Sequence, residues 1–261
     1  MKKSLFLAVI LVMFLIGSVC AAPLDDYSKA GNVGLSVWLM HAGLDTDRKY
    51  NPDMWFPGLA KSYDSANKWN WGGELTVAFA PKWAAGFEYA DTRGKFVHVH
   101  DWGWGNTNEK SKLSSALFKI KYQAYKNERL FVAPYIGLAR NKVKNSTSHY
   151  SPIFGDMKYD YKSESRKSIL AGVTAVYSID RSGRFKTYFD GAVGNKMYSW
   201  NVGVSYQVAK NLDFDFGYKH YMVKDLKYKY VKDTSWGTYM DNGKIKSTSR
   251  GIYLGLSYKF T

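Results

Sequence analysis

Five histidines are the side chains best suited to acid–base or metal chemistry near neutral pH. They are His41, His98, His100, His149 and His220. His98 and His100 would share one face of an extended segment, where two imidazoles can bind a transition metal weakly. The sequence offers no third ligand at a matching spacing. We therefore predict neither a metal centre nor a cofactor, and keep His98 and His100 as weak metal candidates.

Covalent catalysis has no clear candidate in this sequence. The single cysteine, Cys20, lies in the N-terminal leader described below, so the mature chain has no thiol for disulfides or nucleophilic attack. No serine or histidine stands in a fixed-spacing catalytic motif. Enzymatic activity is left open, a non-enzymatic role is favoured, and no catalytic residue is assigned.

Carboxylates and lysines that alternate with apolar residues form a second chemical set. A tight turn after Ala80 would place Glu74 directly opposite Glu88. Because facing carboxylates repel, one must be protonated or a cation must intervene, and Lys119 and Lys121 are the nearest candidates. Asp213 and Asp215 should likewise meet Lys259. We predict one structural network inside the fold, made of Glu74, Glu88, Lys119, Lys121, Asp190, Asp213, Asp215 and Lys259.

Period-two alternation is the pattern that must position these side chains. Ten segments of about 10–14 residues carry Trp, Phe, Tyr or aliphatic residues on one face and Glu, Asp, Lys, Gln, Ser or Gly on the other. A soluble sandwich reproduces this alternation in any single strand, but a lipid exterior and a polar lumen explain it in all ten. The sequence predicts an all-β, closed antiparallel transmembrane β-barrel of ten strands, or eight if one hairpin is misassigned. The segments lie near 32–43, 69–80, 83–90, 112–125, 130–138, 168–179, 185–193, 198–208, 212–220 and 251–260.

Connection lengths alternate between short and long. The joins at Pro81, Lys126, Asp180 and Ala209 span two to about four residues, as expected of periplasmic turns. The other side carries long predicted outer loops near 44–68, 92–111, 141–165 and 225–247, and only the connection near Asn195 is short there. Both termini are therefore expected in the periplasm.

The N-terminus has the pattern of a secretory signal peptide. Lys2 and Lys3 precede an apolar stretch from Leu5 to Gly17, and Val19 and Ala21 occupy the positions of a cleavage site. The stretch is too short to cross a bilayer as a stable helix. We predict a signal peptide over residues 1–21 and a single outer-membrane barrel domain over residues 22–261.

The C-terminal segment, Gly251–Phe260, resembles the strand signal that barrel-assembly machinery recognises, with Tyr258 and Phe260 as its aromatic residues. Pro134–Leu138 is similar to strand openings of small barrels in the porin-like superfamily. The resemblance covers the mature chain as architecture and implies a monomer in a Gram-negative-type outer membrane, exposed at the cell surface. It specifies no activity.

The ten-strand plan is also similar to that of the omptin surface proteases. That family uses aspartates in the second outer loop and an aspartate–histidine pair in the fourth. Here the second loop offers only His98-Val99-His100-Asp101-Trp102, and the fourth connection is too short for the partner pair. The predicted fold therefore has no place for half of the omptin catalytic residues.

Positive charge is concentrated in the predicted outer connections of a chain whose formal net charge is +15. The stretch from Ala139 to Lys167 has seven basic and three acidic residues, and that from Lys219 to Arg250 has eight and three. Such a surface suits the phosphates of outer-leaflet glycolipid or other polyanions, although a solvated basic surface without specificity explains the counts equally well.

The predicted function is a structural or surface-interaction barrel with a plugged polar lumen and no specific nucleic-acid ligand. A rim enzyme (protease or lipid A-modifying) and a narrow pore are the alternatives. The candidate basic residues are Arg140, Lys142, Lys144, Lys227, Lys229, Lys232, Lys244 and Lys246.

Overall fold

The computed structural model of the chain describes residues 24–50, 68–99, 106–151, 155–163, 165–234 and 237–260. These residues contain twelve strands: β1 (Val33–Tyr50), β2 (Lys68–Ala80), β3 (Trp83–Val99), β4 (Asn106–Tyr122), β5 (Tyr125–Lys126), β6 (Leu130–Ser151), β7 (Gly155–Ser163), β8 (Arg166–Ser178), β9 (Phe185–Gly194), β10 (Met197–Ala209), β11 (Leu212–Thr234) and β12 (Gly237–Phe260). Within this described part of the chain, no helix is long and apolar enough to cross a membrane.

Ten of the strands close into a single antiparallel barrel. Each pairs with the next along the chain, and β1 closes the ring by pairing with β12 from Val33–Phe260 to Tyr50–Gly243. The other two strands are additions, since β5 pairs with the start of β6 and β7 with its end. The prediction of a closed ten-stranded barrel is confirmed, and the eight-stranded alternative does not describe this fold.

The two faces of the wall follow the predicted alternation. Outward residues include Ile136, Ile169 and Val193, whose side chains are 66%, 70% and 72% exposed. Inward residues include Lys119 and Lys121, which are 1% and 0% exposed. The wall therefore presents an apolar band outside and encloses charged side chains such as these two lysines.

Most of the predicted outer loops are instead continuations of the strands. β11 and β12 stay paired as far as Thr234–Gly237, and β6 continues to Ser151. Beyond the apolar band the outward face of a strand meets water and needs no apolar residues, so backbone pairing persists without the alternation that reveals a strand in sequence. The exception is the β9–β10 connection, a tight turn at Asn195-Lys196 that matches the prediction.

Residues 24–32 fold back into the periplasmic end of the barrel. Tyr27 is fully buried, and its ring meets Phe131 edge-on with centroids 5.1 Å apart. Its backbone amide donates to Gln123 Oε1 at 3.0 Å, and its carbonyl accepts from the amide of Lys82 at 2.7 Å. This segment closes the lumen from the periplasmic side, a role that the strand pattern did not predict.

The lumen holds buried apolar clusters as well as its charged and polar side chains. Inward residues of the outer half form a buried cluster that includes Leu44, Leu113, Val143, Val223 and Ile245, each no more than 2% exposed. The predicted polar lumen therefore also contains apolar residues in this half. Contact with neighbouring side chains across the narrow lumen excludes water there, so apolar residues are as suitable as polar ones.

Candidate functional site

An ion-pair network occupies the middle of the lumen. Glu74 lies opposite Glu88 in the register of β2 and β3, the pairing that the turn predicts. Lys119 Nζ lies between them, 3.1 Å from Glu74 Oε2 and 2.8 Å from Glu88 Oε2. Lys121 Nζ lies 2.6 Å from Glu74 Oε1. The two facing carboxylates are therefore bridged by lysine ammonium groups from β4.

Two residues complete the network from other strands. Lys219 of β11 donates to Glu88, and its ammonium lies 4.3 Å from the centre of the Trp38 ring. Asp190 of β9 accepts hydrogen bonds from Tyr135 at 2.8 Å and Thr174 at 2.6 Å, and lies 3.8 Å from Lys119 Nζ. Lys219 was not among the predicted residues, because it reaches Glu88 across the lumen and not along a neighbouring strand.

Little open volume remains beside this network. The cavity bordered by Trp38, Glu88, Lys119 and Lys219 measures about 40 Å³, which is room for a few water molecules. Trp38 lies flat against Gly72, where a Cβ atom would stand 2.6 Å from the indole. The described side chains thus pack the centre of the barrel.

A second ion cluster lies nearer the periplasm. Lys259 Nζ is 3.1 Å from Asp213 Oδ2, as expected, but its other partner is Asp25 at 3.0 Å. Lys186 also binds Asp25, at 2.5 Å. The expected contact between Lys259 and Asp215 is not among these ion pairs, because the N-terminal segment supplies a competing carboxylate.

The outer surface carries a basic patch on the β3–β4–β6–β8 side of the barrel. We call it the basic rim patch, and it consists of the outward residues Arg93, Lys95, Lys110, Lys112, Arg140, Lys142, Lys144 and Lys167. Below it lie exposed apolar residues of the same strands, Phe118, Leu138 and Ile169. The positive charges therefore begin where the apolar band ends.

Register places like charges side by side in this patch. Lys112 is paired with Arg93 on β3 and with Lys144 on β6, which gives a row of three basic residues. Lys95 is paired with Lys110 one level farther out, and Arg140 with Lys167 on β8. Directly opposed like charges destabilise a sheet. The arrangement therefore favours the binding of an anion between these basic side chains, where it would relieve their repulsion.

One carboxylate partly compensates the patch. Asp91, which is 4% exposed, lies 2.6 Å from Lys112 Nζ and 3.4 Å from Arg93. Arg93 nevertheless remains 60% exposed at its side chain. The predicted residues Arg140, Lys142 and Lys144 belong to the patch, whereas five further members were missed because cross-strand register was needed to join them.

The remaining predicted basic residues lie on the β11–β12 hairpin. Lys227 is paired with Lys244, and both are exposed. Lys246 also lies on β12, while the side chains of Lys229 and Lys232 are outside the described set. Nearby charges are matched by acids, since Lys196 lies 2.5 Å from Asp225 and Arg250 3.4 Å from Asp45.

The histidines do not form a described site. His41 contacts Trp69, and His220 stacks on Trp200 with ring centroids 5.6 Å apart. His98 lies on β3, but its side chain and all of His100 fall outside the described residues.

At the periplasmic end, Tyr258 packs edge-on against Phe260, with centroids 4.6 Å apart. Phe260 is half exposed on the outer face of β12.

Comparison with known proteins places the architecture among outer-membrane barrels. No family model matches the chain, and no curated protein matches it. Among solved structures, the outer membrane protease OmpT from Escherichia coli is similar at 13% identity and a TM-score of 0.54, over 88% of this chain and 97% of that one. OprG from Pseudomonas aeruginosa gives 15% identity, a TM-score of 0.40 and coverage of 89% and 97%. Ail, the attachment invasion locus protein of Yersinia pestis, gives 15%, 0.37, and 89% and 100%.

These identities show the fold alone. The chain has the fold of an outer-membrane β-barrel with a packed lumen. The connection between β9 and β10 has only two residues between the strands. The chain therefore departs from the omptin pattern at the fourth outer connection, as the sequence predicts.

Proposed function

We propose that this chain is exported by a cleaved leader and acts as a surface-interaction barrel of the outer membrane, binding the phosphate groups of outer-leaflet glycolipid through the basic rim patch. The row Arg93–Lys112–Lys144 carries the proposal. Three adjacent cations above an apolar band match the depth at which glycolipid phosphates meet the hydrocarbon boundary. Arginine and lysine form charge-assisted hydrogen bonds with phosphate.

The inside of the barrel supports a binding role on the outside. The middle network has three carboxylates, Glu74, Glu88 and Asp190, and three lysines, so its charges balance. Its cavity of about 40 Å³ leaves no wide path through the described lumen. The middle network thus contributes no excess charge, whereas the basic rim patch is exposed, where a membrane-bound anion can reach it.

Binding of purified lipid A to the refolded barrel in detergent micelles tests this proposal. The variant R93Q/K112Q/K144Q should lose at least about tenfold in affinity, the equivalent of about 1.4 kcal/mol. A matched control, K82Q/R129Q/K210Q, removes three exposed basic residues from the periplasmic end and should bind as the parent does. Added salt should weaken binding to the parent more than to the rim variant.

Dephosphorylated lipid A is the discriminating ligand. It should bind the parent no better than the rim variant binds intact lipid A. Equal affinity of the parent and the rim variant for phosphorylated lipid A would contradict the proposal. Rim-dependent binding of a sulfated polysaccharide, with none of lipid A, would instead favour a soluble polyanion.

A further inference from the structure

Asp215 is a buried carboxylate that forms no ion pair with a lysine or arginine of the described residues. It points inward from β11, is 0% exposed, and neither of its oxygens has a hydrogen-bond partner. Ser205 lies directly opposite on β10, is 1% exposed, and its Oγ is also without a partner. Two independent strands therefore present unsatisfied oxygen atoms to one point of the lumen.

The charges around this point leave one negative charge uncompensated. The periplasmic cluster contains Asp25, Asp213 and Asp215 but only two lysines, Lys186 and Lys259. Both lysines are engaged elsewhere, Lys186 with Asp25 and Lys259 with Asp25 and Asp213. A buried ionised carboxylate is strongly unfavourable unless a cation accompanies it.

Small residues flank the carboxylate on both neighbouring strands. Asp215 is paired with Ser205 on one side and with Gly255 of β12 on the other. The hydroxyl groups of the buried residues Tyr188 and Tyr253 are hydrogen-bonded to each other. The carboxylate thus faces oxygen atoms and a residue without a side chain.

We propose that Asp215 and Ser205 bind one alkali-metal cation, with sodium as the probe ion, in the periplasmic half of the lumen. Carboxylate and hydroxyl oxygens are hard ligands that suit alkali and alkaline-earth ions. Only one negative charge is uncompensated, and calcium sites combine more carboxylates than this one holds. A monovalent ion neutralises the cluster without displacing either lysine.

The N-terminal segment encloses this site. Asp25 is held by Lys186 and Lys259 on the periplasmic side, and Leu24 is 2% exposed against Gly34. The ion is expected to enter as the barrel folds and to be released when it unfolds. Its binding therefore appears as a dependence of folding stability on ion concentration.

Equilibrium unfolding of the mature barrel in urea and lipid vesicles tests the site. Sodium chloride replaces choline chloride at constant ionic strength, so that screening is unchanged. Above the dissociation constant, a tenfold increase in sodium should raise the folding equilibrium constant about tenfold for one bound ion. D215N should abolish this dependence, and S205A should move it to higher sodium concentration.

Matched variants separate the site from general effects. D190N alters a carboxylate that already accepts two hydrogen bonds, and S168A removes another buried hydroxyl without a partner. Both should keep the tenfold response to sodium. The proposal is overturned if the parent does not respond to sodium. In that case, the stability of D215N shows which explanation holds. If D215N is as stable as the parent, Asp215 is protonated in the folded barrel. If D215N is much less stable, a positively charged side chain of the protein neutralises Asp215.

Discussion

Removing Lys119 and Glu88 singly and together should reveal how strongly the middle of the lumen depends on paired charges. Lys119 Nζ contacts Glu88 at 2.8 Å and Glu74 at 3.1 Å, and it is almost fully buried. K119M leaves three carboxylates facing two lysines, and E88Q leaves three lysines facing two carboxylates. Breaking one partner of a buried pair typically costs about 3–5 kcal/mol. The loss of unfolding free energy in each single variant should fall within or just below this range, because Lys121 and Lys219 still compensate part of the charge.

The double variant E88Q/K119M restores balance between the remaining groups. Its loss of stability should be smaller than the sum of the two single losses, with a coupling free energy of up to about 3 kcal/mol. Urea unfolding from lipid vesicles, followed by tryptophan fluorescence, measures all four states of the cycle. E88Q/K121M is the matched comparison, since Lys121 lies against Glu74 and is not among the partners of Glu88. Its coupling should be smaller. Additive losses for E88Q and K119M would refute the network as described.

Three further predictions concern the wall, the terminus and the N-terminal segment. Val204→Arg or Leu254→Arg should cost about 2–4 kcal/mol near the bilayer midplane, whereas Ser114→Arg, next to Lys142 of the basic rim patch, should cost about 0–1 kcal/mol. Equal costs in vesicle unfolding would contradict the depth assignment. Ser205 is not a usable inward control, because it is fully enclosed. Deleting Phe260-Thr261 should leave protein that is degraded or lacks heat-modifiable mobility on gels, and normal insertion would show that the terminal aromatic is dispensable. Burial raises the pKa of Asp25, but Lys259 and Lys186 outweigh it and hold that pKa well below its usual range. Its stabilisation should therefore be complete above about pH 4 and be lost as the pH falls through the lowered pKa. D25N should show a smaller acid-dependent loss than the parent, and identical profiles would exclude this contribution.

Local alternation predicted the parts of the fold that depend on neighbouring strands. The turn after Ala80 fixed the register that places Glu74 opposite Glu88, and the lysines of β4 follow from adjacency. Contacts across the lumen were not predictable in this way. Whether Lys219 reaches Glu88 depends on barrel diameter and stagger, which no single strand encodes. The same limit hid the competition of Asp25 for Lys259, because residues 24–32 have no strand period.

The position of the basic rim patch follows from how strand pairing combines charges that are distant in sequence. Arg93, Lys112 and Lys144 come from three strands, and each is unremarkable within its own segment. Antiparallel pairing brings them to one level of the wall, where side chains directly opposite lie about 5 Å apart. A solvated surface has no need to align like charges, and alignment costs stability in the absence of an anion. If the row serves binding, then neutralising Lys112 alone should weaken lipid A binding while stabilising the lipid-free barrel, or leaving it unchanged. If Lys112 serves mainly as the partner of Asp91, K112Q should destabilise the lipid-free barrel, because a nearly buried carboxylate would lose its closest cation. Unfolding of K112Q with and without lipid A separates these two roles, and a loss of stability without a loss of binding would argue against the row as a phosphate site.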